Sequence, residues 1–280
     1  MIRKRVKDGA PRFLYKYLGF NSKFDQQNLF DWIVRSTFRL SKPVEFNDPF
    51  DMHGVMVVEG TDAELHERLL EIARRRAPAG ATEQQIEAVA ATLATHMPRE
   101  VIRKEGQESY ERQRETFGVA CFSTDPRTVL LWSHYGAGHS GVCLQFNVAR
   151  DFPVFGTAFD VKIAPNLELP TINWMKSMAQ DIGTVFFRKN SWWAYEKEHR
   201  IIARDQGGKY VSFRPDALNS IVFGCNIQSS DEQYIDQLLV ARASHGMPAI
   251  NVYRAVPHEK LAKLVIRERV SPKSTSGGGT

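Results

Sequence analysis

The sequence predicts an α+β fold in which a mixed or antiparallel central sheet carries an inserted helical block. Three observations lead there. Short apolar runs bounded by turn residues recur along the chain, without the regular strand–helix–strand rhythm of a doubly wound sheet. One stretch, about residues 61–116, instead shows sustained helical periodicity. Between these patterns, Ser41-Lys42-Pro43-Val44-Glu45-Phe46-Asn47-Asp48-Pro49-Phe50-Asp51 breaks regular structure, since two prolines can continue neither a ladder nor a helix. Residues 1–270 read as one domain, and 271–280, with Gly277-Gly278-Gly279, as a flexible tail.

Arg12 to Phe20 alternates Phe13, Tyr15 and Tyr17 and is expected as a strand, followed by a second at Ser36 to Leu40. In the helical block, Thr61 caps a helix whose stripe is Leu65, Leu69, Ile72 and Ala73 and which Pro78 stops. Thr82 with Gln85 has the spacing of a capping box, and Pro98 can start a third helix. Gly118 to Ser123 and Gly141 to Val148 read as buried strands, with a helix opened by Asp125-Pro126 between them. Phe159 to Ala164 reads as a further strand and Ile172 to Arg188 as a helix. Glu198 to Arg204 and Lys209 to Phe213 flank Asp205-Gln206-Gly207-Gly208 as a hairpin would. Ser220 to Gly224 and Ala249 to Arg254 are expected strands around a capped helix, Ser230 to Ala243.

Composition excludes some classes. No stretch approaches the ~20 apolar residues of a membrane span, so no membrane partner is expected. The basic Met1-Ile2-Arg3-Lys4-Arg5-Val6-Lys7-Asp8 is followed by no signal-peptide core. Cys121, Cys143 and Cys225 lack CxxC or CxH spacing and read as reduced side chains of a cytoplasmic protein. A net charge of +5 is spread over the N-terminus, Arg74-Arg75-Arg76 and Arg99 to Arg114. It suits a phosphate-bearing ligand or a nucleic acid, or simply the ends of helices. There is no P-loop, no GxGxxG after a strand, no GxSxG and no HExxH.

The densest chemistry is Trp192-Trp193-Ala194-Tyr195-Glu196-Lys197-Glu198-His199-Arg200-Ile201-Ile202. On a strand, Glu196, Glu198 and Arg200 would share one face; on a helix, Glu196 and Arg200 would be a solvated surface pair. Carboxylates beside aromatic rings can stabilise the cationic transition state of chemistry at a sugar carbon. A second concentration joins Cys121-Phe122-Ser123-Thr124 to Trp132, His134, Tyr135 and the glycine-rich turn Gly136 to Gly141, and can line a pocket for a heteroaromatic ring and ribose or can simply pack. His134 and His139, five apart across glycines, are poorly spaced for a metal, and no metal site is expected from them.

The order Leu14-Tyr15-Lys16-Tyr17, Phe38-Arg39-Leu40-Ser41, Phe46-Asn47-Asp48-Pro49-Phe50-Asp51, Cys121-Phe122-Ser123, Leu131-Trp132-Ser133-His134-Tyr135, Gly141-Val142-Cys143 and Trp193-x-Tyr195-Glu196-x-Glu198-x-Arg200-Ile201-Ile202 resembles bacterial domain of unknown function 2971, from Tyr15 to about Gly224. More distantly it is similar to the ADP-ribosyltransferase superfamily. There an early strand holds the cofactor, a middle strand ends in a Ser/Thr motif and a late strand carries Glu-x-Glu. Tyr15 or Lys16, Cys121-Phe122-Ser123-Thr124 and Glu196-Lys197-Glu198 stand in that order. No Arg or His occupies the early position, and the middle motif departs from Ser-Thr-Ser.

This second resemblance implies a split sheet and an enzyme that consumes NAD, either transferring ADP-ribose or cleaving the dinucleotide. Glu198 would hydrogen-bond the ribose and stabilise the oxocarbenium-like charge, while Glu196 would orient or deprotonate the acceptor. Tyr15, Lys16, Ser123 and His134 would hold the NAD-like molecule, and Tyr135 or Trp132 would stack on nicotinamide or sit in the core. Arg200 would bind a phosphate or hold the carboxylates. The acceptor is open among protein, nucleic acid, small molecule and water. Two other classes stay open. One is a nucleic-acid- or protein-binding module using the basic helices. The other is a metal-dependent hydrolase or nuclease of a toxin or defence system, recruiting Asp48, Asp51, His134 or His139.

Overall fold

Large side chains that alternate between two buried faces make Phe13–Leu18 (β1) a strand. In the computed structural model, which describes residues 10–20, 22–176 and 178–269, it is the first of fourteen. The basic N-terminal octapeptide and the expected tail lie outside the described residues. Ser22 and Asp25 cap Lys23–Phe30 (α1) reciprocally. Thr37–Arg39 (β2) and Val55–Val57 (β3) bracket the proline loop. Thr61 with Glu64 starts Asp62–Arg76 (α2), Thr82 with Gln85 starts Glu83–His96 (α3), and Pro98 precedes Arg99–Arg114 (α4). There follow Gly118–Ser123 (β4), Val129–His134 (α5), Val142–Asn147 (β5), Phe152–Phe155 (α6), Phe159–Asp160 (β6), Lys162–Ile163 (β7), Thr171–Asn173 (β8), Met178–Phe186 (α7) and Arg188–Lys189 (β9). Glu198–Ala203 (β10), Tyr210–Ser212 (β11), Leu218–Phe223 (β12), Ser229–Ser244 (α8), Asn251–Pro257 (β13) and Leu264–Glu268 (β14) complete the chain.

Eight strands join in the order β14-β13-β12-β5-β1-β4-β10-β6. Every neighbouring pair is antiparallel except β12 with β13, so the fold is α+β with a mixed central sheet. β1 is registered along its whole length against β5, from Phe13↔Asn147 to Leu18↔Val142. Against β4 it shares the single pair Tyr15↔Ser123, and the two strands part beyond it. One face of the sheet presents Leu14, Leu18, Phe122, Leu144, Phe146 and Ile221 to the main apolar core. The other presents Tyr15, Tyr17, Cys143 and Val222, and continues through Ser123 to Glu198 and Arg200.

α2 and α3 pack Leu69, Leu70 and Ala73 against Ile86 and Ala90. α4 is tied to β3 and its flanks: Gln107 accepts from Met56 N at 2.7 Å, and the Tyr110 hydroxyl donates to Met52 O at 2.8 Å. Among the described residues, no helix is long and apolar enough to cross a membrane.

Several sequence expectations change. The strands on either side of Asp205-Gln206-Gly207-Gly208 form no hairpin with each other, because β11 pairs with β2. Ile172 to Arg188 is not one helix: Thr171–Asn173 and Arg188–Lys189 are drawn into ladders with β3 and β7, leaving only α7 between. Phe159 to Ala164 divides into β6 and β7, which join different sheets. The helix expected from Asp125-Pro126 starts at Val129, since Asp125 Oδ1 accepts from Arg127 N and closes a turn first. Ser191–Glu196 is a helical turn rather than strand, and Lys197 reverses the chain with φ 46° before β10 begins.

Candidate functional site

A cleft of about 400 Å³ opens where β1 and β4 part. Because Ser123 is registered with Tyr15 on one side and Glu198 on the other, three adjacent strands set Tyr15, Ser123 and Glu198 in a row. Lys16 Nζ donates to Cys121 O at 3.1 Å across the parting strands. Phe46 and Asn47 of the proline loop, with His134 and Tyr135 at the end of α5, supply the opposite wall. The reversal at Lys197 turns Glu196 into the same cleft as Glu198 although it stands off the strand.

Five buried charges close the cleft. Lys189 Nζ donates to Glu196 Oε2 at 2.6 Å and Glu198 Oε2 at 3.1 Å, and lies 3.3 Å from Asp51 Oδ2. Arg200 grips Glu198 with Nε on Oε1 at 2.7 Å and Nη2 on Oε2 at 3.0 Å; the same Nη2 meets Asp51 Oδ2 at 2.6 Å, and Nη1 donates to Phe186 O at 3.0 Å. Three carboxylates thus share two cations away from water, where each pairing is strong and each unpaired group costly. Asp51 Oδ1 has no hydrogen-bond partner among the described residues.

The two glutamates are driven apart. Burial would raise Glu198, but Arg200 and Lys189 outweigh it and hold its carboxyl down to about 2. Burial raises Glu196 and Glu198 pushes the same way, against Lys189 and the Tyr135 hydroxyl, which donates to Oε1 at 2.9 Å. For Lys189, burial favours the neutral form, yet Glu198, Asp51 and Glu196 together raise its pKa. Burial also raises the Cys121 thiol and the Tyr135 hydroxyl, with Glu198 and Glu196 respectively adding to it. The site therefore holds one carboxylate ionised and sets its neighbour nearer to exchanging a proton.

Of the residues singled out in the sequence, Tyr15, Lys16, Ser123, His134, Tyr135, Glu196 and Glu198 line this cleft. Two do not. Trp132 is a core residue, fully buried with its ring edge-on to Tyr17 at 5.1 Å and its indole N–H on Pro126 O, so it does not stack on a ligand. Arg200 is fully buried, and its bonds to Glu198, Asp51 and Phe186 O leave it no part in holding a phosphate; it positions the carboxylates. The glycine-rich turn is also structural: a Cβ at Gly141 would meet Leu18 O at 2.2 Å, because the turn closes against β1.

Lys189 escaped sequence reading, and Asp51 was weighed there only as a metal ligand. The one signal for Lys189 was a lysine directly following Phe186-Phe187-Arg188. Asp48, Asp51, His134 and His139 do not assemble: among the described residues no three His, Cys, Asp or Glu side chains gather as a metal-ligating group. Several arginines of the helical block are paired within it, Arg74 with Glu83, Arg99 with Asp62 and Arg103 with Glu100. Compared with family models, curated proteins and solved structures, the chain finds no match.

Proposed function

We propose that the cleft receives the nicotinamide–ribose end of NAD as substrate and breaks its glycosidic bond, passing the ADP-ribosyl group to an acceptor or to water, in keeping with the resemblance to the ADP-ribosyltransferase superfamily. The observation that carries this reading is the row Tyr15–Ser123–Glu198 at the parting of the sheet, with Glu196 brought in beside it. The volume lies within the range of small-molecule sites, and Phe46, Tyr15 and Tyr135 offer aromatic surface to a heterocycle. The nicotinamide ring of the oxidised dinucleotide is cationic. An excess of one carboxylate over the two cations of the network favours it there.

In this reading the C1′–N bond breaks and its electron pair leaves with nicotinamide, while positive charge builds on the ribose. Glu198, kept ionised, lowers the energy of that charge through its field. Its oxygens already accept from Arg200 and Lys189. Glu196, with one bond on each oxygen, has lone pairs left to accept from a ribose or attacking hydroxyl and to take the proton. Lys16 is the cation lining the cleft outside the buried network and the group placed for a phosphate.

The test is nicotinamide release from NAD by the full chain without added metal, followed by liquid chromatography. Release is expected from the parent and at least about 100-fold slower release from Glu196→Gln with the fold retained. Because Glu196 acts as base and burial raises it, the rate should fall on the acid side at a higher pH than an ordinary carboxylate would give. NAD left intact with water, protein and nucleic acid as acceptors overturns the reading.

A further inference from the structure

A second cleft, of about 380 Å³, lies on the far side of the buried charges, and Asp51 and Lys189 line both. Its chemistry is unlike the first. Leu169, Pro170 and Val185 line it, and Phe50, Leu167 and Trp192, which also line it, are exposed by 58, 62 and 68%. Large apolar groups left in water beside a concavity mark a surface that gains by covering.

The polar groups of this cleft are half satisfied. Asp51, whose side chain is only 3% exposed, spends Oδ2 on Arg200 and Lys189 and leaves Oδ1 without a donor. A buried carboxylate oxygen in that condition is costly unless a donor reaches it. Arg188, half-buried on β9, donates Nη2 to Asn166 Oδ1 at 2.9 Å and to Glu168 O at 3.2 Å, but no carboxylate lies within ion-pair distance of it among the described residues. Of the other ionisable groups here, Asp48 accepts from Phe50 N, Glu168 accepts from Asn166 Nδ2, and Lys189 is committed to the three carboxylates; His53 adds a ring. What remains is one carboxylate oxygen lacking a donor, one cation lacking an anion, and apolar surface.

We propose that the second cleft is a binding site for an amino-acid zwitterion with an apolar side chain. The ammonium is held by Asp51, the carboxylate by the Nε and Nη1 hydrogens that Arg188 does not spend on Asn166 and Glu168, and the side chain by Phe50, Leu167 and Trp192. A simple cation would leave Arg188 unmatched and be repelled by it, and a simple anion would face Asp48 and Asp51. The zwitterion answers both charges at once.

Isothermal titration of the full chain with L-phenylalanine, phenylalanine amide and N-acetylphenylalanine tests this. L-phenylalanine is expected to bind at least about tenfold more tightly than either analogue, each of which lacks one charge. Arg188→Gln should reduce its affinity to that of the amide. Trp192→Ala, at an exposed position, should weaken it with thermal unfolding unchanged. Absence of saturable binding, equal binding of a single-charge analogue, or parental affinity in Arg188→Gln overturns the proposal. None of these readouts involves NAD, so the two proposals stand or fall separately.

Discussion

The two faces of the central sheet are both buried and are held by opposite means. On one, Trp32 stacks on Phe38 with centroids 4.6 Å apart and Phe146 on Phe155 at 4.8 Å, with Phe122 and Phe213 edge-on around Phe146. On the other, the same strands β4 and β10 place Cys121, Ser123, Glu198 and Arg200, and the equivalent space is filled by ions. Alternation along a strand explains how one ladder serves both: Phe122 and Ile201 turn to the rings while Ser123 and Arg200, one residue away, turn to the charges. The apolar face can be built from any well-packed set of similar volume. On the charged face the loss of one charge leaves its buried partners under-compensated, and that asymmetry is why it can hold a carboxylate in a chosen protonation state.

The largest effects should come from breaking each face once. Phe146→Ala removes a fully buried ring from the aromatic cluster and should cost about 3–5 kcal/mol in urea unfolding. Arg200→Met should cost a similar ~3–5 kcal/mol, for another reason: it leaves Glu198, Asp51 and Glu196 as buried charges with Lys189 alone to answer them. The two are separated by a compensating change. Replacing Arg200, Glu198 and Asp51 together by apolar residues should regain most of the Arg200→Met loss; a triple variant no more stable than the single would show that geometry, not charge, holds this face.

Acid should weaken one face only. With its carboxyl held down to about 2, Glu198 stabilises the fold more when ionised than when protonated. That contribution is complete above the ordinary carboxylate range and is lost as pH falls from there towards 2. Glu196, raised by burial, has the opposite sign: it favours the fold below the ordinary range and loses that contribution as pH rises through its own higher value. Unfolding free energies measured from pH 6 down to 2 should therefore decline steeply in the parent and equally steeply, from a lower start, in Phe146→Ala. In Glu198→Gln the decline should flatten. An unchanged slope there would place the acid sensitivity elsewhere.

Much of this contrast was legible in the sequence, but unevenly. The alternation of Phe13, Tyr15 and Tyr17, the cap at Thr61 and the capping pair Thr82–Gln85 are local signals, and the corresponding elements stand where they point. The partners of Glu198 are not local. Asp51 reaches Arg200 across 149 residues from a loop, and Lys189 sits on a two-residue strand whose existence depends on pairing with β7. No periodicity can mark an element that short. Glu196 shows the same limit: alternation placed it on the strand with Glu198, whereas the left-handed turn at Lys197 takes it off the strand and returns it to the cleft. The false hairpin at Asp205 to Gly208 has this cause too, since its turn residues are right and only the long-range pairing of β11 with β2 redirects it.

The smallest predicted effect tests the charged face most finely. Tyr135→Phe removes the hydroxyl that donates to Glu196 Oε1 and leaves the Lys189 bond to Oε2 intact. Its stability cost should be about 1 kcal/mol, that of one hydrogen bond. The more telling consequence is electrostatic. Because the Tyr135 bond favours the ionised form of Glu196, its loss should move the Glu196 titration further upward while Glu198, gripped by Arg200, stays where it is. Side-chain carboxyl NMR across a pH series would resolve the two. Movement of Glu196 alone would establish that the pair is tuned from separate sides, Glu198 by the ions behind it and Glu196 by the aromatic wall in front. Movement of both together would mean that the five charges titrate as one unit, and the division of labour between the two glutamates would have to be abandoned.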